Sequence, residues 1–261
     1  ACSKGSGGSG GGGGGNTGGG GTGPTPVVPI ISLPAGWKYN ATYSTNFPNG
    51  IQTFSFDTIF NGRTVKAFCL AFDTKLGLYD LKPVQSATAK KVSEFVSQEP
   101  GIVFGGINGG FFGGNSSYSL VKYNNQQSSV NIKSVNRTYN GTSAAYFPTR
   151  AAFGIRSNGS PTTAWIYHVG TGNDNIYSYQ TPSPNAEGSA PQPVPTENFP
   201  SGGTAWAMPT AIGGSPMLLK DGQVNISDVA ELININNTTS RPRSAIGHTS
   251  NGIVLLLAVE G

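Results

Sequence analysis

Charge is scarce in this chain of 261 residues: 16 lysines and arginines against 12 aspartates and glutamates leave a net charge of +4. The basic residues are scattered, and no run of them is longer than Lys90-Lys91. A nucleic-acid surface needs a clustered basic stripe or patch, so that class of partner is excluded. Cysteine is nearly missing too. Cys2 and Cys69 are the only two, which rules out a disulfide framework, and no metal-ligand spacing occurs. No metal and no other cofactor is expected. These residues contain neither a signal peptide nor a transmembrane stretch. Ser/His/Asp triad order and Walker-type phosphate loops are also missing.

Glycine, by contrast, is abundant. Fourteen of the 39 glycines fall between Gly5 and Gly23, a composition with nothing to bury. Residues 1–26 therefore read as a flexible tether, of rms reach about 27 Å for some 24 residues. Ala1-Cys2-Ser3-Lys4 at its head resembles the processed start of a bacterial lipoprotein. That resemblance implies a lipid on Cys2, a cell-envelope or periplasmic location, and membrane contact through that lipid alone. Residues 27–261 remain, enough for one well-buried domain. Cys69, in the apolar run Val65 to Phe72, reads as a small buried residue.

Turn chemistry organises that domain. Asn61-Gly62 separates two alternating arms, Gln52 to Phe60 and Arg63 to Asp73. Asn-Gly is the favoured pair for a type I′ hairpin. Asn158-Gly159, Asp221-Gly222 and Asn251-Gly252 mark three more. One helix is predicted between Ser86, as its cap, and Pro100, with Ala87, Ala89, Val92, Phe95 and Val96 as its apolar stripe. It leads into an apolar strand from Gly101 to Ile107. A second, shorter helix is predicted over 226–235, capped by Ser227. Gly113 to Thr142 reads as a polar surface excursion, and Thr181 to Gly203, with six prolines, as a long loop. The sum is an α+β fold: a mixed, largely antiparallel twisted sheet with a few packed helices in a single domain.

Two segments carry candidate chemistry. Ile107-Asn108-Gly109-Gly110-Phe111-Phe112 ends a strand with an amide, two glycines that admit a ligand or another backbone, and two aromatics able to wall a hollow. Pro242-Arg243-Ser244-Ala245-Ile246-Gly247-His248 opens a hairpin whose return arm, Ile253 to Val259, is apolar until Glu260. An arginine at a strand start suits a planar anion, or else an ion pair or solvent. His248 reads as an acid–base group or as an exposed hairpin-end residue. Arg150 reads as an addition to an anionic pocket or as a surface residue. His168 reads as a sheet residue.

Taken in order, the Asn108 segment, Ala151-Ala-Phe-Gly-Ile155 with Asn158-Gly159, Ala211-Ile-Gly-Gly-Ser-Pro-Met-Leu-Leu-Lys-Asp-Gly222 and the Arg243 hairpin ending Val-Glu-Gly resemble the phosphodiester glycosidase family. The likeness spans roughly Phe54 to Gly261. It implies hydrolysis of a sugar 1-phosphodiester, with a carbohydrate or sugar-phosphate as partner. Asn108 matches the family's Asn-Gly-x-Phe-Phe motif. Arg243 matches its Arg-Thr-x-x-Gly motif, with Ser244 in place of Thr. Glu260 stands where Asp is usual. The implied roles are a phosphate-orienting cation at Arg243, a carboxylate at Glu260 and a hydrogen-bonding amide at Asn108. Gly109, Gly110, Phe111, Phe112, Arg150 and His248 would complete the substrate site. Family members continue with a helix and a Leu-Asp-Gly-Gly-Gly-Ser-like motif, so the resemblance implies a domain incomplete at its C-terminal end. A rival from another class is a non-catalytic glycan- or surface-polymer-binding lipoprotein, which the Asn-rich excursions and the aromatics would serve.

Overall fold

The computed structural model describes residues 2–4, 27–236 and 238–261. Most of the expected tether lies outside the described residues. At its head, Cys2–Lys4 departs from a free coil and pairs antiparallel with Tyr79–Leu81.

Two antiparallel sheets carry the domain. The first has five strands in the order Arg243–His248, Ile253–Val259, Arg63–Asp73, Ile51–Phe60 and Trp37–Tyr39. The second has seven, in the order Thr204–Ala205, Ile176–Tyr179, Pro161–His168, Arg150–Ile155, Thr210–Gly213, Val121–Tyr123 and Gln126–Ser129. All four expected hairpins form. At Asn61-Gly62 both residues take the positive φ that a type I′ turn demands, 48° and 75°.

Strand alternation explains the layering. In Ile253–Val259, Val254 and Leu256 face the second sheet and share a core with Phe72, Phe153 and Ile212. Ile253, Leu255 and Leu257 face the other way, onto Phe54, Cys69, Trp37 and the 30–33 segment. A strand covered on both faces must be apolar at every position, which is why this arm shows no polar alternation. The second sheet is likewise two-sided: Phe153 and Ile212 look inward, while Ala152, Ile166 and Ala211 pack with Trp206 and Met208.

Helix is scarcer than expected, so the α+β expectation is corrected to a β-rich fold. Among the described residues α-helix is confined to Ala41–Ser44 and Val92–Gln98. The second of these starts later than predicted. Ser86 donates to the Thr88 carbonyl, and the helix instead begins where Glu94 accepts from the Lys91 N–H at 2.7 Å. The predicted strand 101–107 forms no strand; Val103 alone makes a bridge. The predicted 226–235 helix shrinks to one turn, with the Glu231 N–H on the Ser227 carbonyl at 2.9 Å and Leu232 at φ 52°. The polar stretch 113–142 is more ordered than an excursion. Val121–Tyr123 joins the seven-stranded sheet beside Thr210–Gly213 and continues into Gln126–Ser129 through a turn at Asn124 and Asn125, whose φ values are 47° and 63°. Asparagine tolerates that conformation, so Asn-Asn stands in for Asn-Gly. The 181–203 stretch is free of helix and strand, as the prolines require.

Candidate active site

The site begins where the two candidate segments meet. Gly109 and Gly110 rest on the end of strand Thr210–Gly213. A Cβ on Gly109 would lie 3.0 Å from Ile212 Cδ1, and one on Gly110 would collide with the Gly213 carbonyl and the Ser119 side chain. At Gly110 the backbone that needs the missing side chain is therefore the protein's own. This seating carries Asn108 to the hairpin of Arg243–His248, where Ser244 Oγ donates to Asn108 Oδ1 at 2.5 Å. Oδ1 accepts that bond, and the two Nδ2 hydrogens of the exposed amide remain as donors.

Strand pairing sorts the remaining residues. Ser244 pairs with Ala258 and Arg243 with Val259, so Ser244 and Ala258 share one face and Arg243 takes the other. Glu260 continues the pairing by one residue, its N–H on the Lys66 carbonyl at 2.9 Å. By alternation Glu260 lies on the Ala258 and Ser244 face, and it is exposed. Arg243 is turned to the 235–236 segment. Its guanidinium donates to Ile235 O at 3.0 Å, Asn236 O at 3.2 Å and Pro242 O at 3.2 Å. The structure thus brings Asn108, Ser244 and Glu260 to one face and leaves Arg243 on the opposite one.

Phe111 and Phe112 are exposed beside this seat, Phe112 opening a two-residue hairpin with Ser116–Ser117. His248 is exposed, with Nδ1 3.1 Å from Thr249 O and its ring edge-on to Phe153 at 6.1 Å. His168 is a sheet residue, 1% exposed. Its Nδ1 meets Asn173 O at 2.7 Å and its Nε2 meets the Asn131 N–H at 3.3 Å, which fixes the neutral tautomer with the proton on Nδ1. Burial lowers its pKa, against a smaller opposing effect of the Asn173 carbonyl. Cys69 is buried, and burial pushes its thiol up to about 11.

Sequence reasoning does not find Glu231. This carboxylate is fully buried. One oxygen accepts from Trp165 Nε1 at 3.0 Å, Ser227 Oγ at 2.6 Å and Met217 N at 2.9 Å; the other accepts from Ala151 N at 2.8 Å. It clamps the 217–231 excursion onto the end of strand Arg150–Ile155. The Ser227/Glu231 spacing of four was the available signal, but it reads equally well as a helix. Arg150, opening that strand, is 6% exposed, so the surface alternative for it is set aside.

A polar cavity of about 400 Å³ lies elsewhere, lined by Thr74, Lys75, Asp80, Arg156 and Asn158 among others. It adjoins the Asp73 end of strand Arg63–Asp73, whereas Glu260 follows the residue paired with Ala67. Six residues of strand separate those ends, about 20 Å. None of Asn108, Arg150, Arg243, His248 and Glu260 lines it. Among the described residues no cluster of His, Cys, Asp and Glu is arranged to hold a metal ion.

The family model for phosphodiester glycosidases matches residues 101–261, well over half of the chain. The protein belongs to the phosphodiester glycosidase family. Both segments joined by the Ser244–Asn108 hydrogen bond lie inside the match. No curated protein matches the chain. Among solved structures it is similar to a hypothetical protein from Synechocystis, with 15% identity, a TM-score of 0.48 and 82% of this chain covered. The chain spans about half, 51%, of that protein's length.

Proposed function

We propose that this phosphodiester glycosidase hydrolyses a sugar 1-phosphodiester of the GlcNAc-1-phosphodiester type, at the cell envelope. The observation that carries the reading is the hydrogen bond from Ser244 to Asn108, which joins the family's two ordered motifs across 136 residues. In the reaction the anomeric C–O bond to the phosphoryl group breaks and water supplies the hydroxyl to the sugar carbon. The phosphate monoester leaves, and the water's second proton passes to a base or to solvent. A phosphodiester is a good leaving group, so the site needs charge stabilisation more than a strong acid. Glu260 stabilises the sugar cation or activates water, and Asn108 Nδ2 donates to a sugar hydroxyl or to phosphate. Exposed Phe111 and Phe112 offer stacking faces. The envelope location rests on the lipoprotein-like Ala1-Cys2-Ser3-Lys4 sequence.

The experiment is turnover of a synthetic GlcNAc-1-phosphodiester by the purified protein and by Asn108→Ala and Glu260→Gln. Release of free sugar that falls at least ten-fold in both variants supports the reading; equal turnover in all three removes the site assignment. The exposed position of Glu260, beyond the last strand residue, favours one second reading, a glycan-binding protein without catalysis. Saturable sugar-phosphodiester binding with no turnover would select it.

A further inference from the structure

Arg150 poses a physical problem that the proposed reaction does not use. Its side chain is 6% exposed, yet no hydrogen bond or ion pair engages its guanidinium among the described residues, and its Nε is buried without a partner. Burying a guanidinium nitrogen without a partner is costly. Glu231, the carboxylate that acts on it electrostatically, already accepts four hydrogen bonds from other groups. The other charge that acts on Arg150 is a second cation, Arg137, whose guanidinium donates to Leu232 O at 3.1 Å and Asn136 O at 2.9 Å. Arg150 thus has a second cation near it, and the carboxylate that acts on it is engaged by other donors.

The surroundings repeat the pattern. Ser183, fully buried, donates its N–H to Thr149 Oγ1 at 2.9 Å, next to Arg150, and its own Oγ has no partner. Asn185, 3% exposed, approaches the Ser183 and Ala230 carbonyls through Nδ2 and leaves Oδ1 unpaired. Three of the four buried unpartnered side-chain atoms among the described residues therefore belong to this one knot at the start of strand Arg150–Ile155. Native proteins leave few such atoms, and each calls for an explanation: strain, a functional contact, an ordered water or an ion. Spare guanidinium and hydroxyl donors in a positive setting suit a tetrahedral oxyanion.

We propose that Arg150 forms an oxyanion site that takes a phosphoryl group. Burial lowers the Arg150 pKa to about 10, Glu231 opposing and Arg137 adding to the effect, so the guanidinium stays charged at neutral pH and gains by acquiring an anion. The phosphoryl group has two possible sources, the substrate or free phosphate. The first rests on the glycosidase reading.

The test is calorimetric titration of the protein with inorganic phosphate, for wild type, Arg150→Gln, Arg150→Lys and Arg243→Gln. The expected result is saturable binding that weakens at least ten-fold in Arg150→Gln, less in Arg150→Lys, and under two-fold in Arg243→Gln. No phosphate binding by the wild type, or unchanged binding by Arg150→Gln, overturns the site. If Arg150→Gln does not fold, a phosphate-soaked wild-type crystal decides: an anion on the Arg150 guanidinium supports the site, and an anion elsewhere or none overturns it. Competitive inhibition of sugar-phosphodiester turnover by phosphate identifies the substrate as the source; binding without inhibition identifies free phosphate. Absence of turnover with phosphate binding intact counts against the glycosidase reading alone.

Discussion

Ser244 and Asn108 stand 136 residues apart in the chain and are joined by a 2.5 Å hydrogen bond from hydroxyl to amide oxygen. That contact orients the Asn108 amide, and it does so with the residue that replaces the family's usual Thr. Removing the hydroxyl frees the amide to rotate. A neutral hydrogen bond is worth about 0.5–1.5 kcal/mol, or roughly 2- to 12-fold in rate if all of it is lost in the transition state. Ser244→Ala is expected to lower kcat/KM for the sugar phosphodiester by that range, and Ser244→Thr to keep it near wild type. Steady-state kinetics on the three proteins checks this.

The two glycines of very different setting, Gly110 and Gly62, separate close approach from backbone conformation. Gly110→Ala drives a methyl into the Gly213 carbonyl and is expected to cost over ~2 kcal/mol, with loss of phosphodiester turnover. Gly62→Ala meets no atom within 4 Å, and only its φ of 75° is strained, so about 1 kcal/mol is expected. Urea denaturation midpoints compare the two; equal losses would contradict the assignment.

Glu231 holds the 217–231 excursion to the sheet through four donors, two of them backbone N–H groups. Glu231→Ala leaves those donors buried and unpaired, and Arg150 without its compensating charge. The expected loss is ~3–5 kcal/mol, the range for breaking a buried charged network. Glu231→Gln keeps the volume but turns an NH2 toward donors, so an intermediate loss is expected. Thermal unfolding, with Trp165 fluorescence as a local probe, measures both.

His168 makes stability depend on pH in a defined direction. Burial holds its folded-state pKa below the unfolded value of 6.5, so below that value the unfolded chain binds the proton more readily. This contribution is fully present above pH 6.5 and is lost as pH falls from there through the folded pKa. Unfolding free energies measured between pH 7.5 and 5 are expected to fall, with the fall reduced in His168→Asn. A flat profile in the wild type would refute the assignment.

Cys69 is expected to resist alkylation at pH 8 in the folded protein and to react within minutes in denaturant, because a buried thiol held near 11 supplies almost no thiolate. Peptide mapping of Cys69 after iodoacetamide treatment reads this directly.

Local chemistry was legible in the sequence. Asn61-Gly62 and its three counterparts specify their own turns, because positive φ is a property of one or two residues and needs no partner. The proline-rich 181–203 loop follows from missing N–H donors and restricted φ, and the unbroken apolar run before Glu260 announces a strand covered on both faces. The order of motifs named the family. Tertiary structure alone decided the rest. The 226–235 segment has helical spacing, yet the Glu231 carboxylate is drawn to Ala151, Met217 and Trp165 and the helix stops after one turn. Arg243 and Arg150 look alike in sequence, each at the head of a strand. Pairing turns the first onto backbone carbonyls, while packing buries the second without a partner. Burial and charge compensation are set by whatever packs from distant parts of the chain, and no window around either arginine contains that information.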